Sequence, residues 1–500
     1  MRVGRAGLLR LSGLGAFTLL LAVCARNSTG PAEPLLATRA GVQSGMPYAR
    51  EPDWVSSESD FCGTGLALVD INGDGFEDIV VANGNDCGEQ PLLVYFNDGK
   101  GQFPNPPWRS KESKYFFNLA AGDINGDGHV DLAVSTNVVS GSSSNPIGYV
   151  GIYLNRDGGL PDAPDYKLDQ KSNTLACALG DVDGDGDLDL AMTTLSDAQG
   201  QNTPQYVFFN EKGTLSNAKP WVSSDATPSV GALFADVNQD GLLDLLVGAG
   251  PMANSRVYYG NTLPDGGIQL EATPASVIPT DTQVVMYLDH GAVDGDGGTA
   301  SVLAYNGWNC TGGSCPPSFL ETYPGASRPS NWRSAAPVLG SGVMLADVTG
   351  DERLELLAAS WTNDGGTRPG GGPLMIFPAT EGSLATEPAY TSSRPSVGET
   401  LAAADLRHRG LRTATESFLP TNPRSVVTLS RQVIAKLVQV EKNGQVLPSS
   451  EYTSVPGRNW ISFKSRLVKG DEVQVRYLSS SSLDIVLTNE WSGTFLFHHQ

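Results

Sequence analysis

Residues 70–78 read DINGDGFED, and the same nine-residue phrase returns as DINGDGHVD at 123–131, DVDGDGDLD at 181–189 and DVNQDGLLD at 236–244. Three worn copies continue the series: AVDGDGGTA from Ala292, DVTGDERLE from Asp347 and DLRHRGLRT from Asp405. Successive starts lie 53 to 58 residues apart. A period of that size marks a stacked or circular array of one supersecondary unit, here seven times over.

The phrase has the chemistry of a hard-cation loop. Oxygen-bearing side chains stand at positions 1, 3, 5 and 9: Asp70, Asn72, Asp74 and Asp78; Asp123, Asn125, Asp127 and Asp131; Asp181, Asp183, Asp185 and Asp189; Asp236, Asn238, Asp240 and Asp244. Gly at position 6 permits a sharp turn, and Ca²⁺ takes six to eight oxygens in flexible geometry. An EF-hand would need a bidentate Glu at position 12 and flanking helices. Position 12 is Val81, Val134, Met192 and Val247, and each loop runs into a short apolar segment (DIVVAN, DLAVST, DLAMTT, DLLVGA) that reads as a buried strand. The sites are therefore expected between strands. Four calcium ions are expected. In the sixth copy Asp347, Thr349, Asp351 and Glu355 keep their oxygens while Glu352 replaces the Gly, so a fifth ion and an acidic turn without one both remain open. The copies at Ala292 and Asp405 have lost too many oxygens and are expected empty.

Each period then repeats a second apolar strand ending in Asn or Gly: LLVYFN to Asn97, VGIYLN to Asn155, YVFFN to Asn210 and RVYYG to Gly260. With LDLLVGAGPMANSRVYYG in the fourth unit, the chain resembles the FG-GAP repeats of integrin alpha subunits over roughly residues 50–417 and 483–497. The resemblance implies an all-β, seven-bladed β-propeller with four antiparallel strands (A to D) per blade and calcium in the A–B loops. It also implies a backbone carbonyl ligand at position 7: Phe76, His129, Asp187 and Leu242. The integrin partner and signalling role are not implied, because only the repeat is shared.

An aromatic residue stands 15 positions before the motif in most units (Trp108, Tyr166, Trp221, Trp332 and Tyr390, with Val277 in the fifth), and reads as interblade packing. Trp54 stands 16 before Asp70, a strand-D signature with no blade of its own, and the final LDIVLTNEWSGTFLFHH matches strands B and C without a D. The N-terminal stretch near Trp54 is therefore expected to complete the last blade, leaving no unpaired edge. The expected organisation is a signal peptide over 1–24, a flexible tether over 25–49, the propeller over 50–406 and 481–500, and an inserted β-sandwich-like domain in the last blade over 407–480. The insert's hairpin signal is Asn443-Gly444. In the alternative, RTATESF is strand B and the tail is an appended sheet.

Net charge −21 and pI near 4.6 argue against nucleic-acid partners, since phosphate contacts need Lys and Arg. Arg2, Arg5 and Arg10 precede LSGLGAFTLLLAV, an apolar run too short to span a bilayer and suited to a signal peptide. Leu21-Ala22-Val23-Cys24 resembles a bacterial lipobox with Cys24 as the lipidated residue, although Val23 also suits ordinary signal peptidase. Secretion, with display as an outer-membrane or cell-surface lipoprotein held only by that anchor, is expected. Cysteine usage fits an oxidising compartment, with bridges expected at Cys62–Cys87 and Cys310–Cys315 and Cys177 left as a buried small hydrophobe.

No nucleophile elbow, zinc spacing or phosphate-cradling loop is present, and the chain reads as no enzyme. The favoured function is calcium-stabilised adhesion or binding of a carbohydrate or surface protein through the B–C loops; the alternative is a secreted polysaccharide lyase or hydrolase on a propeller scaffold. Trp308, Trp361 and Trp491 fall at or just past strand B in three neighbouring units. They read either as a ligand rim or as packing beneath their own loops.

Overall fold

The computed structural model of the protein describes residues 46–104, 106–137, 148–197, 199–280, 283–293, 298–306, 318–325, 330–362 and 371–500. Cys24, Cys310, Cys315, Trp308 and residues 294–297 of the fifth motif lie outside the described residues.

The first motif is the turn between Gly63–Val69 and Asp78–Asn83, which continue through Gln90–Tyr95 to Trp108–Lys114 as one antiparallel four-stranded sheet in chain order. Among the described residues, six more four-stranded sheets repeat this plan, with first strands Phe116–Gly122, Ser172–Gly180, Ser229–Ala235, Val284–Ala292, Leu339–Ala346 and Val397–Ala404. These first strands contact one another in succession, and the seventh meets the first. The sheets thus close into a propeller that is essentially all β among the described residues. The second strands are buried end to end (Asp78–Asn83, Asp131–Thr136, Asp244–Ala249) because both faces press on neighbouring sheets.

The seventh sheet is assembled from both ends of the chain. Val397–Ala404 pairs with Asp484–Glu490, that strand with Phe495–Phe497, and the last with Trp54–Val55, in the register Trp54 to Leu496. The recurrent aromatics lie between sheets: Trp54 meets Tyr95, Trp221 meets Tyr258 and Trp332 meets Phe377, each edge to face at 80° with centroids 5.2 to 5.7 Å apart. One geometry used three times is what an in-register repeat produces, and such pairs add about 1 kcal/mol each beyond their buried area.

Between Ala404 and Asp484 lie two further sheets around a core of Val427, Val440, Ile461, Phe463, Val475 and Tyr477. Leu411–Phe418, which contains RTATESF, pairs along its whole length with Val473–Ser480 and makes no ladder with strand A of the seventh sheet. Asn443 and Gly444 both have positive φ (54° and 73°), the backbone a two-residue hairpin requires. The segment 407–480 carries twelve Lys and Arg against five Asp and Glu, a formal +7 within a chain of −21. It sits on the A–B edge of the ring. Arg431 Nη2 reaches Glu352 at 2.6 Å, Arg458 Nη1 reaches Asp289 at 3.1 Å, and Gln432 Nε2 donates to the His290 carbonyl at 2.9 Å.

Inside the ring, the first strands line a cavity of roughly 210 Å³ that Gln432, Gly457 and Arg458 of the insert help enclose. Toward the starts of those strands, Phe117, Leu175, Val230, Val284, Leu339 and Trp361 form an apolar plug. This corrects the rim of three tryptophans. Trp361 is 8 % exposed and belongs to the plug, whereas Trp491 is 46 % exposed. The reason is packing: the Trp361 side chain lies among first-strand residues Phe117, Leu175, Val230 and Leu339 rather than on the outer edge.

Candidate metal centre

The position-1 carboxylate organises its own loop. Asp70 Oδ1 accepts from Gly73 N–H (2.7 Å) and Asp74 N–H (3.1 Å), and Oδ2 accepts from Gly75 N–H (2.8 Å). Asp123 and Asp181 make the same three bonds with Gly126, Asp127 and Gly128 and with Gly184, Asp185 and Gly186. Such a wrap needs positive φ at positions 4 and 6, supplied by Gly73 (75°) and Gly75 (91°) in the first copy. In the sixth copy Glu352 holds that strained conformation at 72° without the freedom of glycine.

Position 9 is the anchor at the base. Asp78, Asp131, Asp189 and Asp244 have no exposed surface. One oxygen of each accepts from the N–H at position 2 (Ile71, Ile124, Val182 and Val237, 2.9–3.0 Å), and the other from the residue closing strand C (Asn97, Asn155, Asn210 and Gly260, 2.7–2.9 Å). The asparagines add a link that the sequence reading passed over. Asn97, Asn155 and Asn210 each donate Nδ2 at 2.8 Å to a carbonyl of the neighbouring sheet's loop: Leu406, Ile71 and Ile124. Their recurrence at one register position was the available signal.

Burial sets the electrostatics. It pushes the carboxyl pKa of Asp78 to about 7, Asp131 to about 6, Asp181 and Asp236 to about 7, and Asp244 to about 8, against the opposing pull of backbone N–H groups. Asp183 rises to about 6 through burial and then repulsion from Asp185. Asp181, Asp183 and Asp189 bring oxygens within 4.8 Å of one another, a set that fits a divalent cation. A further mark of fit is Asp236 Oδ1, which is buried without a hydrogen-bond partner among the described residues. The donors are all hard oxygens, the chemistry that suits calcium rather than a soft metal.

The worn copies are served differently. Arg431 faces Asp347 at 3.4 Å, and Arg353 forks onto Asp351 at 3.0 and 2.5 Å, holding the latter's pKa down against the opposing effect of burial. Burial still pushes Glu355 to about 7, and Thr349 Oγ1 is buried without a partner among the described residues. In the seventh copy Arg407 stands at position 3, and its Nη2 binds the fully buried Asp484 at 2.7 Å. A guanidinium there sets a positive charge against the buried carboxylate, where the complete copies carry only oxygen donors at position 3.

Cys62 and Cys87 form a disulfide with Cα atoms 6.1 Å apart. Cys177 is a free, buried thiol, pushed by burial to about 12 and so not nucleophilic near neutral pH. Among the described residues no helix is long and apolar enough to cross a membrane.

Comparison with known proteins places these loops in context. The FG-GAP-like repeat family model matches residues 70–134 and 136–192, which contain the first three motifs. Integrin alpha-V of Gallus gallus is 24 % identical over 250 residues, 46 % of this chain and 24 % of the integrin. Integrin alpha-PS5 of Drosophila melanogaster is 31 % identical over 153 residues, 27 % of this chain and 15 % of its own. The chain thus spans a quarter or less of the length of these relatives. Among solved structures, the exotype rhamnogalacturonan lyase YesX is similar at 15 % identity and a TM-score of 0.32, over 63 % of this chain and 65 % of that one. The rhamnogalacturonan lyase YesW is similar at 13 % identity and a TM-score of 0.32, over 90 % and 91 %. Both being lyases, they overturn the expectation that the chain is no enzyme: its likeness to known structures gives no ground for excluding catalysis.

Proposed function

We propose, from the premise that this chain carries FG-GAP repeats of the integrin alpha type, that it is an extracellular binding propeller stabilised by calcium in its four complete A–B loops. The observation that carries the cation reading is the convergence of Asp181, Asp183 and Asp189 in a loop whose geometry recurs at Asp70 and Asp123. The ligands are the side chains at positions 1, 3, 5 and 9 of each copy, with the carbonyls of Phe76, His129, Asp187 and Leu242 completing them.

The insert occupies much of the A–B edge, so the opposite edge is the one left to meet a partner. That edge bears the B–C loops and exposed Trp491, an aromatic suited to stacking on a sugar ring or anchoring a protein. The partner is a carbohydrate or surface protein, and the chain is held at the cell envelope by a lipid on Cys24. The test is a binding screen of the mature protein against glycan and surface-protein arrays with and without calcium. Calcium-dependent binding that Trp491→Ala weakens supports the reading; binding insensitive to both removes it.

A further inference from the structure

The insert treats the four complete loops unequally. At their glycine turns the first two stay open, a Cβ added at Gly73, Gly75, Gly126 or Gly128 meeting nothing within 4 Å, although His408 stacks on Phe76 and Ile434, Lys436 and Pro456 line a cavity beside Asp70. Over the third and fourth the insert closes down. The same atom at Gly186 would lie 3.1 Å from Lys464 Cβ, and at Gly241 it would lie 2.2 Å from Arg424 Cβ. Ser425 and Val426 both donate their N–H groups to the Gly241 carbonyl at 3.0 Å, tying the insert's backbone to the tip of the fourth loop.

At the third loop exposure follows this contact: the position-1 carboxylate Asp181 is 1 % exposed, whereas Asp70, Asp123 and Asp236 are half-buried. Ser462 of the insert, paired across the sheet with Val426, is fully buried, and its hydroxyl makes no hydrogen bond among the described residues. Asp236 Oδ1 in the fourth loop is likewise buried without a partner among them. Buried oxygens are almost always satisfied. Two that are not, both beneath the insert and one supplied by it, point to a shared group between insert and loop.

We infer that the insert is a lid that seals the third and fourth cation sites, so that their calcium ions exchange slowly, while the first and second sites exchange freely with solvent. The inference rests on the calcium reading above. A cation under the lid leaves only when the insert lifts, which requires breaking the Gly241 bonds and the Arg431 and Arg458 ion pairs together.

The experiment loads the full mature chain with radioactive calcium, removes the excess, and follows exchange against unlabelled calcium. Four ions per chain are expected, half exchanging within mixing and half at least about tenfold more slowly. Asp123→Asn should remove one equivalent of fast label and Asp181→Asn one equivalent of slow label. Arg431→Ala, which touches none of the four loops, should accelerate the slow phase by at least about threefold. A single phase with four ions bound overturns the inference alone, as does an unchanged slow phase in Arg431→Ala. A chain that holds no label overturns the calcium reading and the lid with it.

Discussion

Removing calcium should destabilise the protein, and should do so more at pH 8 than at pH 5.5. The position-1 and position-9 carboxyls have raised pKa values in the cation-free fold: about 6 for Asp131, about 7 for Asp78, Asp181 and Asp236, and about 8 for Asp244. In the unfolded chain such groups titrate near 3.9. For an acid raised on folding, the cation-free protein keeps its full stability below the unfolded value and loses it as pH rises through the folded values, here between about 4 and 8. Bound calcium needs the ionised carboxylates, so its stabilisation grows over the same window. With dissociation constants on the order of 10⁻⁴ M, one site at about 1 mM calcium adds roughly 1.4 kcal/mol, and four add about 5 to 6 kcal/mol. That is similar to the net stability of an ordinary domain. At about 2.1 cal/mol/K per residue, a chain of this length unfolding as one unit gains about 6 °C in Tm from it. Calorimetry of metal-free and calcium-loaded protein at the two pH values measures this difference. A Tm indifferent to calcium at pH 8, or a larger calcium effect at pH 5.5, would refute the reasoning.

Four substitutions probe other parts of the molecule. Asn155→Ala removes the bond to the Ile71 carbonyl across the sheet boundary and leaves that acceptor buried, which should cost about 1–3 kcal/mol in urea unfolding. Arg407→Ala strips the counter-charge from fully buried Asp484 and should cost about 3–5 kcal/mol, with no recovery on adding calcium. Trp361→Ala should cost about 3–5 kcal/mol because the side chain fills the axial plug, whereas Trp491→Ala should stay within about 0.5 kcal/mol of the parent in the same assay. Cys24→Ser should move the protein from detergent-extracted membranes to the soluble fraction, and unchanged fractionation would remove the lipid anchor.

The amino-acid sequence by itself determined the repeat and its local chemistry. A loop of Asp, Asn and Gly between two short apolar runs specifies strand, turn and strand within nine residues, and the recurring aromatic placed Trp54, Trp221 and Trp332 at equivalent positions. The orphan D strand at Trp54 and the incomplete tail likewise pointed to each other, since each lacked what the other carried. Only the tertiary structure decided which neighbours meet. Trp361 lies within strand B of its sheet and is buried in the apolar plug, whereas Trp491 follows the end of strand B in its sheet at a turn with φ 55° and is exposed, a difference set by which residues each strand packs against. The same holds for the insert. Its +7 charge was countable, but that Arg424 and Lys464 crowd the fourth and third loops while the glycine turns of the first two stay open follows from where a 74-residue excursion lands on a closed ring, a contact between segments more than 180 residues apart.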